Sequence, residues 1–148
     1  YLAGGHHTYG HNDSWRILPT WKQALDAPGA RQMGLLRKIF IARTEWWLLE
    51  PDQSLFATGA KTEGQVLRLA ARHRDGQWAI FYLGDQAEFS VNLARLSAAK
   101  LTATWVNPVD GKMTPLGLFP NQGVKSFNTP EGWEDSLLVL ESPSAKAK

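Results

Sequence analysis

The chain has 148 residues and a mass of 16.5 kDa, enough for one ordinary domain with a real core. Charged residues at 20% beside 43% apolar ones exclude a disordered chain, and the lack of Cys excludes disulfides and Cys-ligated zinc or iron–sulfur sites. Sixteen basic residues face fourteen acidic ones, divided seven to six over residues 1–64 and nine to eight over residues 65–148.

With no basic stripe to neutralise a phosphate backbone, no nucleic-acid partner is expected. No apolar run approaches the roughly 18 residues of a membrane span, so no membrane partner is expected either. The chain opens on Tyr1 rather than Met and reads as a piece of something longer. Any export signal would lie upstream, because Leu2-Ala3 runs straight into Gly4-Gly5-His6-His7.

Residues 1–19 are rich in Gly, His and aromatics. Gly4, Gly5 and Gly10 disfavour a helix, so a short strand running into a loop is expected. Residues 20–44 read as helix. Thr20 is placed to cap a first turn at Trp21–Leu25, and Asp26 offers a second N-cap. Pro28 suits the first turn, where its missing N–H costs little. Met33, Leu36 and Phe40 fall on one stripe with Leu35 and Ile39 beside them, while Arg31, Arg37, Lys38 and Arg43 take the other face. Such a stripe must be buried, either on the rest of the chain or in a homodimer through Met33, Leu36 and Phe40.

Residues 45–64 read as a connector. Glu45-Trp46-Trp47-Leu48-Leu49 is followed by a turn at Glu50-Pro51-Asp52, and residues 57–64 look like an exposed loop. From Gln65 the period becomes two. Leu67, Leu69 and Ala71 alternate with Arg68, Ala70 and Arg72, and Arg74-Asp75-Gly76-Gln77 forms a hairpin turn. Trp78–Leu83 is apolar on both faces, as a central strand would be. Further strands are expected at Phe89–Leu93, Leu101–Trp105, Met113–Leu118, Lys125–Asn128 and Leu137–Leu140, with a turn at Asn107-Pro108-Val109-Asp110-Gly111. Five of the eight prolines follow residue 107 and mark turns and edges. The expected fold is mainly β: an immunoglobulin-like antiparallel β-sandwich of six or seven strands, preceded by one amphipathic helix.

Three constellations could carry chemistry. His6, His7 and His11 lie within six positions, but a metal pair at His7 and His11 needs a helix that the glycines oppose. No HExxH pattern is present, so no metal and no cofactor are expected. A polar loop or a sugar-facing rim are the other readings of this cluster. Of seven tryptophans, Trp78 and Trp105 fall inside strand patterns and read as core. Trp46 and Trp47 are expected to seal the helix against the sandwich. Trp15 and Trp133 lie in loops and are candidates to stack on a ligand. The aspartates occupy turn and cap positions, and no nucleophile or phosphate-binding motif occurs, so no catalytic residue is assigned.

Several segments together resemble a known family. They are His7-Thr8-Tyr9-Gly10, Trp15, the run Trp21–Met33 with Ala24-Leu25-Asp26-Ala27-Pro28-Gly29-Ala30, and Trp47–Asp52. The sequence is similar there to the end of the catalytic barrel in apiosidase-like glycoside hydrolases. Trp105–Gly111 and Asp135–Leu140 resemble the β-sandwich behind that barrel, known as a collagen-binding domain of a collagenase.

The resemblance implies that residues 1–44 are the last strand and helix of a truncated (β/α)8 barrel, residues 65–143 the sandwich, and residues 144–148 a tail. In such barrels the active site lies at the C-terminal ends of the strands. That would put His7, Tyr9 and His11 on a substrate rim, joined by Trp15 and Trp133 as loop aromatics, with the paired carboxylates upstream. The resulting expectation is a non-catalytic C-terminal accessory module that binds collagen or polysaccharide, from a secreted or periplasmic glycoside hydrolase of bacterial type. The alternatives are a substrate-rim fragment of a glycosidase and a purely structural brace for the barrel.

Overall fold

A computed structural model describes Leu2, Gly5 and residues 8–143. Three helices come first: α1 (Asn12–Trp15), α2 (Trp21–Ala24) and α3 (Pro28–Ile41). Nine strands follow: β1 (Leu49–Pro51), β2 (Phe56–Thr58), β3 (Arg68–His73), β4 (Trp78–Leu83), β5 (Glu88–Asn92), β6 (Lys100–Val106), β7 (Met113–Pro120), β8 (Val124–Asn128) and β9 (Ser136–Glu141). They form a six-stranded sheet, ordered β1-β3-β4-β9-β6-β7, and a three-stranded sheet, ordered β2-β5-β8. Every pairing is antiparallel.

The molecule has three layers. Between the sheets lie Leu55, Phe81, Phe89, Leu101, Trp105 and Leu138, with Phe89 in ring contact with Phe56, Phe81, Trp105 and Phe127. The outer face of the large sheet is covered by α3. Ile39 and Phe40 pack there on Ala71, Trp78, Ile80, Val106, Leu137 and Val139. The large sheet is thus apolar on both faces, which explains why β4 and β9 are buried almost throughout rather than alternating.

β5 and β6 follow the alternation in the sequence, and β4 is central as expected, flanked by β3 and β9. The segment read as a connector is built into both sheets. β1 pairs with β3, and β2 pairs with β5, with Leu55 and Phe56 in the inner core. Strands of three residues are too short to display a period. Trp46 seals the junction alone: its ring packs against Phe40 at 6.3 Å, while Trp47 is 65% exposed.

The helical section departs from expectation in its details. Thr20 makes no capping bond, because its hydroxyl donates to the Asp13 carboxylate at 2.6 Å. Ala27, not Asp26, stands at the N-cap of α3, and Pro28 fills the first turn as anticipated. Asn12–Trp15 is one helical turn rather than loop, and Thr8–Gly10 have no regular structure. The rest of the strand expected in residues 1–19 falls largely on Tyr1, Ala3, Gly4, His6 and His7, which lie outside the described residues. Leu36 and Phe40 of the stripe pack on the sheet of the same chain, and Met33 stays half-buried.

Candidate functional site

The residues singled out from the sequence separate into two places. His7 lies outside the described residues. Tyr9 is half-buried against α3: a Cβ added at Gly29 would stand 2.9 Å from Tyr9 Cε2, so a larger residue there would require the ring to shift. His11 caps α1, its Nδ1 accepting from the Asp13 backbone N–H at 3.2 Å. Trp15 ends the same turn and is 70% exposed, its indole N–H donating to Asn12 Oδ1 at 3.1 Å. The Arg16 guanidinium stands 5.9 Å from its ring. Trp133, by contrast, packs half-buried on the inner sandwich core. Its backbone carbonyl and that of Pro130 accept from Gln86 Nε2 at 2.6 and 3.0 Å. Tyr9, His11 and Trp15 therefore share the helical section, and Trp133 belongs to the sandwich rim.

A groove elsewhere on the surface involves none of them. It runs between α3 and the β6–β7 hairpin in two adjoining compartments of about 610 and 650 Å³. Leu35 and Lys38 line both. The Asn107–Lys112 turn closes one side, and its glycine makes the approach possible. Gly111 has φ +79°, and a Cβ there would meet Leu35 Cδ1 at 2.8 Å.

The floor of the second compartment is ionic. Arg43 is 6% exposed and Glu141 8%, with Arg43 Nε 3.3 Å from Glu141 Oε2. Arg43 Nη1 also donates to the Ile39 carbonyl at the end of α3. Its guanidinium lies 5.7 Å from the Trp78 ring, which is fully buried beneath it. Burial pulls the Arg43 pKa below its ordinary value, and the Glu141 charge opposes that shift. Such a pair is costly to bury and is held in place only by well-placed neighbours. No spacing signal could have found it, because Arg43 and Glu141 lie about a hundred positions apart in the chain and meet only through the fold.

The other carboxylates set within the structure face named partners. Asp85 takes a two-point contact from Arg68 at 2.7 and 2.8 Å, and those hydrogen bonds lower its pKa. Asp52 takes Arg72 and Arg95, both at 2.9 Å. Asp135 faces Tyr82; burial raises its pKa, Tyr82 offsets part of the shift, and the Glu134 charge adds to it.

Comparison with known proteins places this architecture. Residues 50–141, which span β2 to β9 and part of β1, match the family described as "Putative collagen-binding domain of a collagenase". The chain belongs to that family. In this collagen-binding-domain family member, the matched segment is the sandwich, and the helices that form the groove's other wall lie before it.

Two solved structures are similar over most of the chain. A glycoside hydrolase aligns with a TM-score of 0.71 and 27% identity, covering 84% of this chain and 27% of its own. A glycoside hydrolase family 5 protein from Bacteroides vulgatus ATCC 8482 aligns with a TM-score of 0.71 and 25% identity, covering 95% of this chain and 29% of its own. The chain thus spans little more than a quarter of the length of these structures. No curated protein matches it.

Proposed function

We propose that this chain is a non-catalytic accessory module, binding collagen or polysaccharide for a longer glycoside-hydrolase-like protein that is secreted or periplasmic. One observation carries the reading: a collagen-binding-domain sandwich that aligns along most of its length with part of two glycoside hydrolase structures. The pairing of Asp52, Asp85 and Glu141 with arginines supports it, since a carboxylate neutralised by a guanidinium is poorly suited to proton transfer. Retention on insoluble collagen and on plant polysaccharides tests the proposal. Passage through both without retention would sink it.

A second reading rests on the helical section. The 95% coverage by the family 5 structure extends the likeness into the N-terminal helices, and Trp15 is exposed there. On this reading His7, Tyr9, His11 and Trp15 touch the substrate of the longer enzyme. Tyr9→Ala in that longer protein would then lower kcat/KM on a glycoside at least tenfold, while Trp133→Ala would not. Equal effects from both substitutions would count against it.

A further inference from the structure

We infer that the helical section binds an acidic polysaccharide, a glycan whose sugar rings carry carboxylates. This rests on the polysaccharide side of the binding-module reading and names the class of glycan. It places the ligand on a surface that the family match does not reach, since α1, α2 and α3 precede residue 50.

The charge balance that is even about residue 64 is uneven about residue 44. Residues 1–44 hold six basic residues against two acidic ones, and residues 45–148 hold ten against twelve. The ion pairs sharpen the contrast. In the sandwich, Arg68 pairs with Asp85, Arg72 and Arg95 with Asp52, and Arg74 with Glu50. In the helical section, Arg43 has a carboxylate partner and is buried with it. Arg16, Lys22, Arg31, Arg37 and Lys38 are all exposed, and none makes an ion pair with a described residue. Of the two acids there, Asp13 already accepts from the Thr20 hydroxyl at 2.6 Å. The section therefore presents a net positive surface of unpaired donors, which draws a polyanion.

The aromatic rings beside two of these cations narrow the choice of anion. The Arg16 guanidinium stands 5.9 Å from the Trp15 ring, and the Lys22 ammonium 5.6 Å from the Trp21 ring. Trp15 is 70% exposed, and the bond from its indole N–H to Asn12 Oδ1 at 3.1 Å orients the ring. A sugar ring can stack its C–H face on such an indole. A carboxylate carried by that sugar then comes within reach of the adjacent guanidinium, whose planar fork matches it. A neutral glycan would use Trp15 and leave the five cations unmatched. Nucleic acid also combines rings with negative charge, but the likeness of this chain to two glycoside hydrolase structures favours the glycan.

The test titrates the whole chain with polygalacturonate, with the same polymer fully methyl-esterified, with a neutral glucan, with collagen and with single-stranded DNA. The variants are Trp15→Ala and the double substitution Arg16→Gln with Lys22→Gln, with Lys100→Gln as a control on the sandwich; all four positions are exposed. The expected result is binding of polygalacturonate and not of its ester, weakened roughly tenfold between about 50 mM and about 300 mM salt. The double substitution and Trp15→Ala should each weaken it roughly tenfold, and Lys100→Gln should leave it unchanged. Circular dichroism checks that the variants fold; Arg31→Gln with Lys38→Gln serves in place of either one that does not. Equal binding of the polymer and its ester overturns the charge assignment but leaves the module reading standing, as does binding of neutral glucan or collagen alone. Tighter binding of DNA than of polygalacturonate overturns the glycan. Binding that ignores both helical variants overturns the surface. Binding to none of the five overturns the module reading as well.

Discussion

Asp52 sits where three segments of the sandwich meet. Its carboxylate accepts from Arg72 of β3, from Arg95 after β5, and from the backbone N–H and hydroxyl of Ser54. Burial alone would raise its pKa; the hydrogen bonds from Ser54, Arg72 and Arg95 overcome that and hold it at about 2, below the ordinary 3.8. As pH falls, the unfolded chain takes up the proton first. The contribution to stability is complete above about pH 4 and is lost as pH falls toward 2. Because Arg95 is partly exposed, the contribution is about 1–2 kcal/mol after screening. Urea unfolding at pH 7 and pH 3 should show Asp52→Asn losing less stability on acidification than the parent. Parallel losses would mean that Asp52 is not the sensing group.

Two glycines separate backbone strain from collision. Gly59 and Gly64 have nearly the same positive φ, +89° and +90°. A Cβ at Gly64 meets nothing, whereas one at Gly59 would stand 2.7 Å from Phe89 Cβ. Gly64→Ala should cost about 1 kcal/mol from strain alone. Gly59→Ala should cost roughly 1–3 kcal/mol more, because Phe89 is fixed in the core by four aromatic neighbours. Equal urea midpoints for the two variants would show that the Phe89 contact relaxes freely.

Among the elements, α3 carries an omission that can be corrected. Ala27 holds the extended N-cap conformation but has no side chain to meet the first N–H groups of the helix. Ala27→Asp should add about 0.5–1 kcal/mol through a capping bond and the helix dipole. A calorimetric midpoint a few degrees higher is expected. No rise would show that the first turn of α3 contributes little to stability. The periodicity of this helix was legible because Leu36, Ile39 and Phe40 repeat toward one face. The cap was not, because Asp26 and Ala27 differ by one residue of register that only the backbone path decides. The strands show the same limit. β5 and β6 alternate cleanly, so their inward residues were readable. β7 lies on an edge, almost wholly exposed, with a register shift where its alternation breaks, and Pro115 and Pro120 guard it against further pairing.

At the scale of the molecule, the helical section and the sandwich are one packing unit. The outer face of the six-stranded sheet buries Trp78, Ile80, Val106 and Val139 only because α3 lies over it, and Trp78 donates its indole N–H to the Thr44 carbonyl. A chain trimmed to residues 50–143 retains the family-matched segment but exposes that face. It should bind a hydrophobic dye and aggregate, while the full chain stays monodisperse. A trimmed chain that melts cooperatively at the same temperature would refute the shared core.

The sequence by itself determined the class of fold, the central place of Trp78–Leu83 and the core roles of Trp78 and Trp105. Each follows from local hydrophobic period, and local period survives whatever the tertiary arrangement. The even charge balance left no basic stripe for a nucleic-acid backbone, while the candidate functions came from the resemblance of named segments to a known family. Only the tertiary structure decided that residues 49–58 belong to both sheets, that Trp133 packs on the core rim, and that Leu36 and Phe40 of the α3 stripe pack on the sheet of the same chain. It alone brought Arg43 to Glu141. Those outcomes depend on contacts between residues far apart in the chain, and no window of sequence carries the energy that selects them.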